Sequence, residues 1–207
     1  MQIDPTTGAA VVGGPLNVSG AFALAARRDG VFFTVTDSGF VANPDARLAT
    51  VDPSTGGATA FGEPFGVYLR MMGLAFSNDG VLYGSSPITQ SLYRLNLATG
   101  RPELVGPFGV NGVMDLAFDP GGTLYANTTG AIYRVDPRTG AAALVTPVRG
   151  AQMLMGIAFD ANGTLYATTF RSESELYRVD LTSGAATLVG RTGQSFVHSA
   201  EFERRRR

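Results

Sequence analysis

Two short phrases alternate along this chain, and their regular return limits the possible architecture more than any other feature. The first phrase has the form "VDPRTG", and its copies close at Gly8, Gly56, Gly100, Gly140 and Gly184, which lie 48, 44, 40 and 44 residues apart. The second phrase lies between successive copies of the first, as in "GLAFSNDGVLY" and "GIAFDANGTLY". Repetition at this period indicates an array of equal structural units.

Each unit contains four short apolar runs of strand length. In the third unit they are "VMDLAF", "TLYAN", "AIYRVD" and "AAALVTP". Their residues favour strands, and the connecting Asp-Pro-Gly-Gly and Pro-Arg-Thr-Gly sequences favour tight turns. No segment shows a sustained helical period. Four antiparallel strands in about 40–45 residues is the size of one β-propeller blade.

The first strand of each unit has a pattern that suits a strand packed on both faces. Large residues such as Met72, Leu74 and Phe76 alternate with small ones such as Gly73 and Ala75. Successive side chains of a strand point to opposite faces, so a bulky face would meet a small face of the next unit. We therefore expect the first strand to be the innermost strand of each blade.

These patterns predict an all-β fold, a five-bladed β-propeller formed by residues 1–207 as a single domain. A ring closed by both chain ends would leave no free sheet edge. The last blade is expected to combine strands near Gln2–Val12 with a strand near Phe196–Glu203, and to be short of one strand. The predicted repeats are 17–61, 67–108, 110–150 and 152–193, followed by the composite blade of 1–16 plus 194–203 and a solvated tail at 204–207.

Composition excludes several classes of function. The chain has no cysteine, which rules out disulfides, thiolate catalysis and Cys-based metal sites. Its net charge of −1 gives no general attraction to nucleic acid or to anionic membranes. No apolar run approaches the ~20 residues of a membrane span. We therefore expect neither a nucleic-acid partner nor a membrane span.

The phrases "GLAFSNDGVLYG", "GIAFDANGTLYA" and "LYRVDLTSG" resemble the repeats of bacterial propellers of the NHL, SMP-30-like and YncE-like kind. The resemblance implies the propeller fold and, more weakly, an extracytoplasmic location, whereas those families include enzymes, ligand binders and scaffolds. SMP-30-type lactonases hold a divalent metal at the axis through Glu, Asn and Asp. The matching inner-strand positions here are mostly Gly and Ala, so no cofactor is expected, with calcium as the alternative.

The connections that vary in length and sequence mark the end of the ring where a ligand would bind. The predicted ligand-binding residues lie there, at the mouth of the central channel. Phe22, Met72, Met114, Met155 and His198 occupy equivalent positions just inside it, where they would either fill the core or form the floor of a pocket. The predicted ligand-binding set is Tyr68, Arg70, Asn111, Met114, Gln152, Gln194 and His198.

Two residues are the candidates for catalysis. His198 is the only histidine, and Asp115 breaks the Gly/Ala pattern of the inner strands. A metal site would use Asp115 and Glu201. Glu201 lies about 10 Å from His198 along an extended strand, too far for both to hold one ion.

The sequence favours a non-catalytic scaffold that recognises a protein, peptide or glycan on the variable loops. No nucleophile–base pair, metal-ligand cluster, phosphate loop or cofactor motif supports an enzyme. The first alternative is a lactonase-like hydrolase or a lyase with its site at the channel mouth. The second is a repeat module of a larger secreted protein.

Overall fold

The computed structural model describes residues 1–18, 20–36, 45–66, 69–199 and 201, and every regular element in these ranges is a β-strand. The chain begins with the hairpin β1 (Gln2–Ile3) and β2 (Ala10–Val11). The first blade contains β3 (Leu24–Ala26), β4 (Phe32–Val35), β5 (Leu48–Val51) and β6 (Ala58–Ala60). The second contains β7 (Gly73–Phe76), β8 (Leu82–Ser86), β9 (Ser91–Leu95) and β10 (Pro102–Pro107). The third contains β11 (Asp115–Phe118), β12 (Leu124–Asn127), β13 (Ala131–Val135) and β14 (Ala142–Pro147). The fourth contains β15 (Leu154–Phe159), β16 (Leu165–Thr169), β17 (Glu175–Val179) and β18 (Ala186–Arg191).

Each blade is an antiparallel sheet whose strands pair in chain order, and the blades are arranged as a propeller ring. The innermost strands β3, β7, β11 and β15 pack beside one another, as the alternation of large and small residues predicted. The part of the chain described by the structure contains no helix that could cross a membrane.

The recurring phrase "VDPRTG" and its relatives form the turn between the third and fourth strands. In the third blade the N–H of Asp136 donates to the carbonyl of Ala141, and the N–H of Gly140 donates to the carbonyl of Asp136. The Asp136 carboxylate also accepts the N–H of Arg138 at 2.8 Å. Gly140 closes the turn with a φ of 83°, a conformation that glycine adopts without strain. The phrase therefore recurs because each blade needs the same turn.

The core lies between neighbouring blades. In the first three blades, an aromatic residue of the second strand packs against the final Phe of the next inner strand. The ring centroids of Phe33 and Phe76 are 5.2 Å apart. The equivalent distances are 5.7 Å for Tyr83–Phe118 and 5.0 Å for Tyr125–Phe159. Three clusters of buried apolar residues follow this arrangement, one at each interface between successive complete blades.

The prediction of a fifth hydrogen-bonded blade is wrong for the described residues, which form four complete blades. The hairpin β1–β2 was predicted near Gln2–Val12 and is present as a separate two-stranded sheet. The strand predicted near Phe196–Glu203 is absent from the described part of that segment. A short segment with no neighbouring second strand lacks the partner that would hold it in a regular ladder. Residues 202–207, including the predicted tail, lie outside the described ranges.

The hairpin nevertheless makes the same outer contacts as a blade. At each junction, the end of a fourth strand or the residues just after it lie against the turn between the third and fourth strands of the next blade. The approach is so close that a Cβ on a glycine would overlap a backbone oxygen. This holds for Gly106 against Thr139 and for Gly184 against Pro147. It also holds for Gly190 of the fourth blade against Thr7 of the hairpin, and for Gly14 after the hairpin against Thr55 of the first blade.

Candidate functional site

Two sets of connections lie at the same end of the propeller, because strands alternate in direction within each blade. We call this end the loop face. It comprises the links between second and third strands and the links from each fourth strand to the next blade. Its described segments are 12–18, 20–23, 45–47, 61–66, 69–72, 87–90, 108–114, 128–130, 148–153, 170–174 and 192–197.

A continuous row of rings lies at the mouth of the channel on this face. The ring of Phe170 lies 4.9 Å from that of Phe196 and 4.5 Å from the imidazole of His198. The imidazole in turn lies 4.2 Å from the ring of Phe22. We refer to Phe196, Phe170, His198 and Phe22 as the aromatic row. Tilted rings at these distances stabilise one another, so the row ties the fourth blade to the first.

Arg70 covers the inner end of the aromatic row. Its guanidinium carbon lies 5.9 Å from the centre of the Phe22 ring, a cation–π geometry. Its Nε and Nη2 lie 3.2 and 3.0 Å from the sulfur of Met72. The structure thus brings together two of the predicted ligand-binding residues, Arg70 and His198.

Burial, followed by the positive charge of Arg70, lowers the pKa of His198 to about 4. The imidazole is therefore neutral at neutral pH and is a weak base there. Its Nδ1 is buried and has no hydrogen-bond partner among the described residues. The imidazole is held between two aromatic rings rather than beside a carboxylate, so its contacts are those of a packing residue.

We expect His198→Phe to be folded and at least as stable as the wild type at pH 7. The substitution keeps an aromatic ring in the row and removes a buried nitrogen that has no partner, which is worth about 1 kcal/mol. The unfolded chain binds a proton near pH 6.5, whereas the folded chain does so only near 4. Wild-type stability should therefore fall as the pH decreases from 6.5 to 4, and the variant should lose this part of the fall.

Urea denaturation of both proteins across this pH range measures the effect. An unchanged pH dependence in His198→Phe would show that another group is responsible.

Asp115 is buried in the channel wall, where its carboxylate joins three segments. Oδ1 accepts the N–H of Leu116 at 2.9 Å. Oδ2 accepts the N–H of Ile157 at 3.2 Å and the hydroxyl of Ser199 at 3.0 Å. Burial raises the pKa of Asp115 well above its usual value, and the charge of Glu201 adds a minor contribution. These bonds connect the third blade to the fourth and to the C-terminal segment.

The candidates for metal binding do not form a metal site in the described structure. Within the described ranges, no three His, Asp or Glu side chains converge as metal ligands. Asp115 directs both oxygens at protein donors, and Glu201 is half-buried.

Two exposed apolar residues on the loop face have an unusual backbone. Met153 has a φ of 58° and Phe196 a φ of 55°, and their exposed fractions are 44% and 53%. Both stand two residues before an equivalent channel position. The same place in two other units holds Gly20 and Gly112, with φ of 62° and 72°. The sequence predictions did not include Met153 and Phe196, although aligning the loops would have placed them opposite glycines.

Hydrogen bonds hold both residues beside the 170–174 link. The carbonyl of Met153 accepts the N–H of Phe170 at 2.9 Å, and the N–H of Phe196 donates to the carbonyl of Arg171 at 2.8 Å. The N–H of Val197 donates to the hydroxyl of Ser174 at 3.0 Å. The backbone therefore fixes Met153 and Phe196 on either side of Phe170.

A shallow depression lies next to Met153, between the third and fourth blades. Its volume is about 380 Å³, and its lining includes Gln152, Arg171 and Tyr177. Tyr177 donates to the carboxylate of Glu175 at 2.7 Å. Burial, then this bond, raises the pKa of Tyr177 to about 12. The depression thus has polar side chains in its lining and the apolar side chain of Met153 beside it.

The remaining predicted residues are dispersed. Asn111 is exposed and Met114 is half-buried. The backbone of Gln194 is bonded to Ser174 and Thr192, and its side chain is half-buried. Tyr68 lies outside the described residues. The structure therefore groups only Arg70 and His198, with Gln152 in the neighbouring depression.

Comparison with solved structures finds propellers of several kinds. A protein of unknown function from Bacteroides thetaiotaomicron superposes with a TM-score of 0.67 at 14% identity, over 87% of this chain and 53% of that one. Glutaminyl cyclase from Myxococcus xanthus gives a TM-score of 0.61 at 18% identity, over 89% and 75% of the two chains. A chain of a nidogen/laminin complex gives a TM-score of 0.59 at 18% identity, over 81% and 64%. These identities establish the fold alone, and the chain spans less than two thirds of the nidogen/laminin and Bacteroides chains.

No curated protein sequence matches the chain. A family profile described as a repeat of unknown function, DUF6923, matches residues 75–195. This segment covers more than half of the 207 residues and runs from the inner strand of the second blade to the end of the fourth. The chain therefore belongs to the DUF6923 repeat family.

Proposed function

We propose that this propeller is a non-catalytic binding scaffold that recognises a protein or peptide on its loop face, with a glycan as the alternative ligand. The observation that carries the proposal is the pair Met153 and Phe196, which are large, apolar, exposed and held in left-handed backbone. Such residues cluster at ligand contacts because the surrounding structure must hold them in place.

The backbone conformation argues against folding stability as the reason why large residues occupy these two positions. A non-glycine residue in the left-handed region costs on the order of 1 kcal/mol, and Gly20 and Gly112 avoid that cost at the same place in other units. About half of the surface of each residue also stays exposed. A ligand that covers them would supply the missing burial.

The surrounding contacts suit recognition of an extended apolar segment. Met153 is flexible and can adapt to a partner surface. Phe196 is supported by Phe170, which in turn packs on His198. Gln152 and Arg171 provide hydrogen-bond donors in the adjoining depression. The hydrogen bonds along the 170–174 link preorganise these groups, which lowers the entropy lost on binding.

The contacts of the two catalytic candidates favour a binder over a hydrolase or lyase. His198 lies between the rings of Phe22 and Phe170 and is neutral at pH 7. Asp115 uses both oxygens to bridge protein segments. A general acid or base must reach its substrate proton. Both oxygens of Asp115 are directed at protein donors, and Nδ1 of His198 is buried.

The double substitution Met153→Gly and Phe196→Gly tests the proposal. We expect the free energy of unfolding to stay within about 1 kcal/mol of the wild type or to rise, because glycine removes the backbone strain. We expect ligand enrichment from a displayed library of linear peptides, and from a glycan array, to be lost. The matched control is Leu144→Ser, since Leu144 is 59% exposed on an outer strand away from the loop face.

Loss of enrichment in the glycine variant alone supports a loop-face binding site. Equal enrichment by the wild type, the glycine variant and the control contradicts it. Enrichment on the glycan array but not from the peptide library would assign the site to a glycan.

We also propose that residues 1–207 form one domain with five positions around its axis. The hairpin β1–β2 supports the outer part of the fifth position, because the N–H of Ala10 donates to the carbonyl of Thr192 at 3.1 Å. On the other side the N–H of Ala58 donates to the carbonyl of Leu16 at 2.8 Å. The inner part is supported by Gly156, where a Cβ would lie 2.8 Å from the carbonyl oxygen of His198.

A further inference from the structure

The depression between the third and fourth blades contains a cation whose neighbouring acids bond to other groups. Arg171 supplies a positive charge to the lining, and two glutamates follow it on the same link. The carboxylate of Glu173 lies 3.0 Å from Nη1 of Arg191. The carboxylate of Glu175 accepts the hydroxyl of Tyr177 at 2.7 Å. Among the described residues, the Arg171 guanidinium therefore has no carboxylate at ion-pair distance.

The position of Arg171 in the lining is held by the backbone. Its carbonyl accepts the N–H of Phe196 at 2.8 Å, which fixes the chain at this point. Burial and the bond to Glu175 raise the pKa of Tyr177, and the positive charge of Arg171 opposes that rise, so the guanidinium lies near the phenol. Because its pKa is about 12, Tyr177 stays protonated at neutral pH and adds no negative charge to the depression.

A second part of the lining offers backbone donors. It is formed by the link 148–153, from which Val148, Gly150, Ala151 and Gln152 contact the depression. The N–H groups of 150–153 donate no hydrogen bond within the described structure, whereas those of Arg149 and Leu154 on either side do. Ala151 is only 8% exposed, and N–H groups without a partner are rare at such buried positions. These donors suit a ligand group that is rich in acceptors.

We propose that the depression binds a carboxylate of the peptide ligand, beside an apolar residue of that ligand that covers Met153. The inference rests on the function proposed above and names the chemistry of a second contact. An arginine fork and backbone N–H groups are donors that bind carboxylates in proteins. The volume of about 380 Å³ lies within the range of small-ligand sites, roughly 300–1,000 Å³.

The apolar residues of the loop face favour a peptide over an acidic sugar as the source of the carboxylate. Met153 and Phe196 are 44% and 53% exposed on either side of the link that carries Arg171. A peptide can present a large apolar side chain and a carboxylate within a few residues, whereas a sugar acid has no large apolar group. Within a peptide, the carboxylate can belong to an acidic side chain or to the C-terminus.

Three capped amino acids test the carboxylate site without the apolar contact. N-acetyl-glutamate α-amide carries a side-chain carboxylate, N-acetyl-glutamine carries a terminal carboxylate, and N-acetyl-glutamine amide carries neither. Heteronuclear NMR titration follows the backbone amides of residues 150–153. We expect at least one acid to shift these amides to saturation and the neutral compound to leave them in place, and the acid that binds identifies the source. Equal shifts with all three compounds, or no shift with any, would overturn the proposal.

Two substitutions that remove the same charge locate the acid on the protein. Arg171→Gln changes the depression, whereas Arg138→Gln changes an exposed turn of the third blade. Loss of a charge-assisted hydrogen bond should weaken acid binding about tenfold in Arg171→Gln. Arg138→Gln should bind the acid like the wild type. Equal weakening in both variants would reveal a general effect of net charge and overturn the site.

Peptide selection separates this inference from the function on which it rests. Peptides enriched by the wild type should contain a carboxylate near an apolar residue, and Arg171→Gln should keep the apolar preference but lose the acidic one. A selection without enriched peptides would contradict the proposed function and the peptide source, whereas an acid-specific titration would still establish the carboxylate site. Enrichment of acidic sugars instead of peptides, dependent on Arg171, would overturn the peptide proposal.

Discussion

Replacement of Gly73 with alanine is expected to destabilise the protein by about 2–4 kcal/mol, the range associated with forced overpacking of a core. A Cβ at this position would lie 2.6 Å from the Cα of Asp115 and 2.8 Å from the N of Leu116. Both atoms belong to the backbone of the neighbouring inner strand, so no side-chain rotation can relieve the contact. The second and third blades would have to separate, and their buried aromatic contacts would loosen.

Chemical denaturation of Gly73→Ala and Gly130→Ala measures the effect against a matched control. Gly130 lies in the turn after β12, and a Cβ there would have no atom within 4 Å. Gly130→Ala should stay within about 0.5 kcal/mol of the wild type. If both variants have the same stability as the wild type, close approach of the inner strands does not hold the ring together.

Replacement of Asp115 with alanine is expected to destabilise the protein by about 3 kcal/mol. The N–H groups of Leu116 and Ile157 would lose the carboxylate that accepts them inside the channel wall, and an unsatisfied buried donor costs about 1–3 kcal/mol. Ser199 would also lose its contact with the third blade. The loss should appear as a lower denaturation midpoint with an unchanged fold by circular dichroism.

The pH dependence of this variant identifies the ionisation of Asp115. Because burial raises the pKa of Asp115, the folded protein holds its proton to a higher pH than the unfolded chain does. Wild-type stability should therefore decrease as the pH rises above about 4, through the pKa of the folded state. Asp115→Asn should lack this decrease, so its stability relative to the wild type should improve with rising pH. A constant difference between the two proteins would show that the pKa of Asp115 is the same in the folded and unfolded chains.

The inner strands could be predicted from sequence because their pattern has one physical cause. Large residues such as Leu74 and small residues such as Gly73 occupy opposite faces of a strand that must pack on both sides. The turn phrase was equally informative, since the aspartate and the final glycine each have a local role that does not depend on distant residues.

The fifth position could not be predicted as well, because a strand depends on its neighbours. The segment around Ser199 has the residues of an inner strand and packs against Gly156, yet no second strand lies beside it in the described structure. Sequence similarity identifies an equivalent segment but does not show whether that segment has a neighbouring strand with which to form hydrogen bonds.

The position of the candidate residues could be predicted better than their contacts. Arg70, Gln152 and His198 were predicted near the variable loops and lie there, whereas ligand binding at that end of the ring stays a prediction. The contacts of Arg70 with Phe22 and Met72 depend on side-chain rotamers, which spacing does not reveal. Met153 and Phe196 were missed because their residue types give no sign of a left-handed backbone, which only the glycines of neighbouring units suggest.

The outer contacts of the hairpin indicate that packing around the ring does not depend on the order of the units along the chain. Gly190 lies against Thr7, and Gly14 lies against Thr55, so the hairpin is enclosed by the fourth and first blades much as each blade is enclosed by its neighbours. Circular permutation succeeds where the cut falls in an exposed loop and the original ends lie near each other. New termini placed in the exposed turn at Gly163, where an added Cβ would meet no atom within 4 Å, with the original ends joined by a linker, would leave these outer contacts intact. The order in which the units are synthesised is thus a property of the gene and not a requirement of the ring.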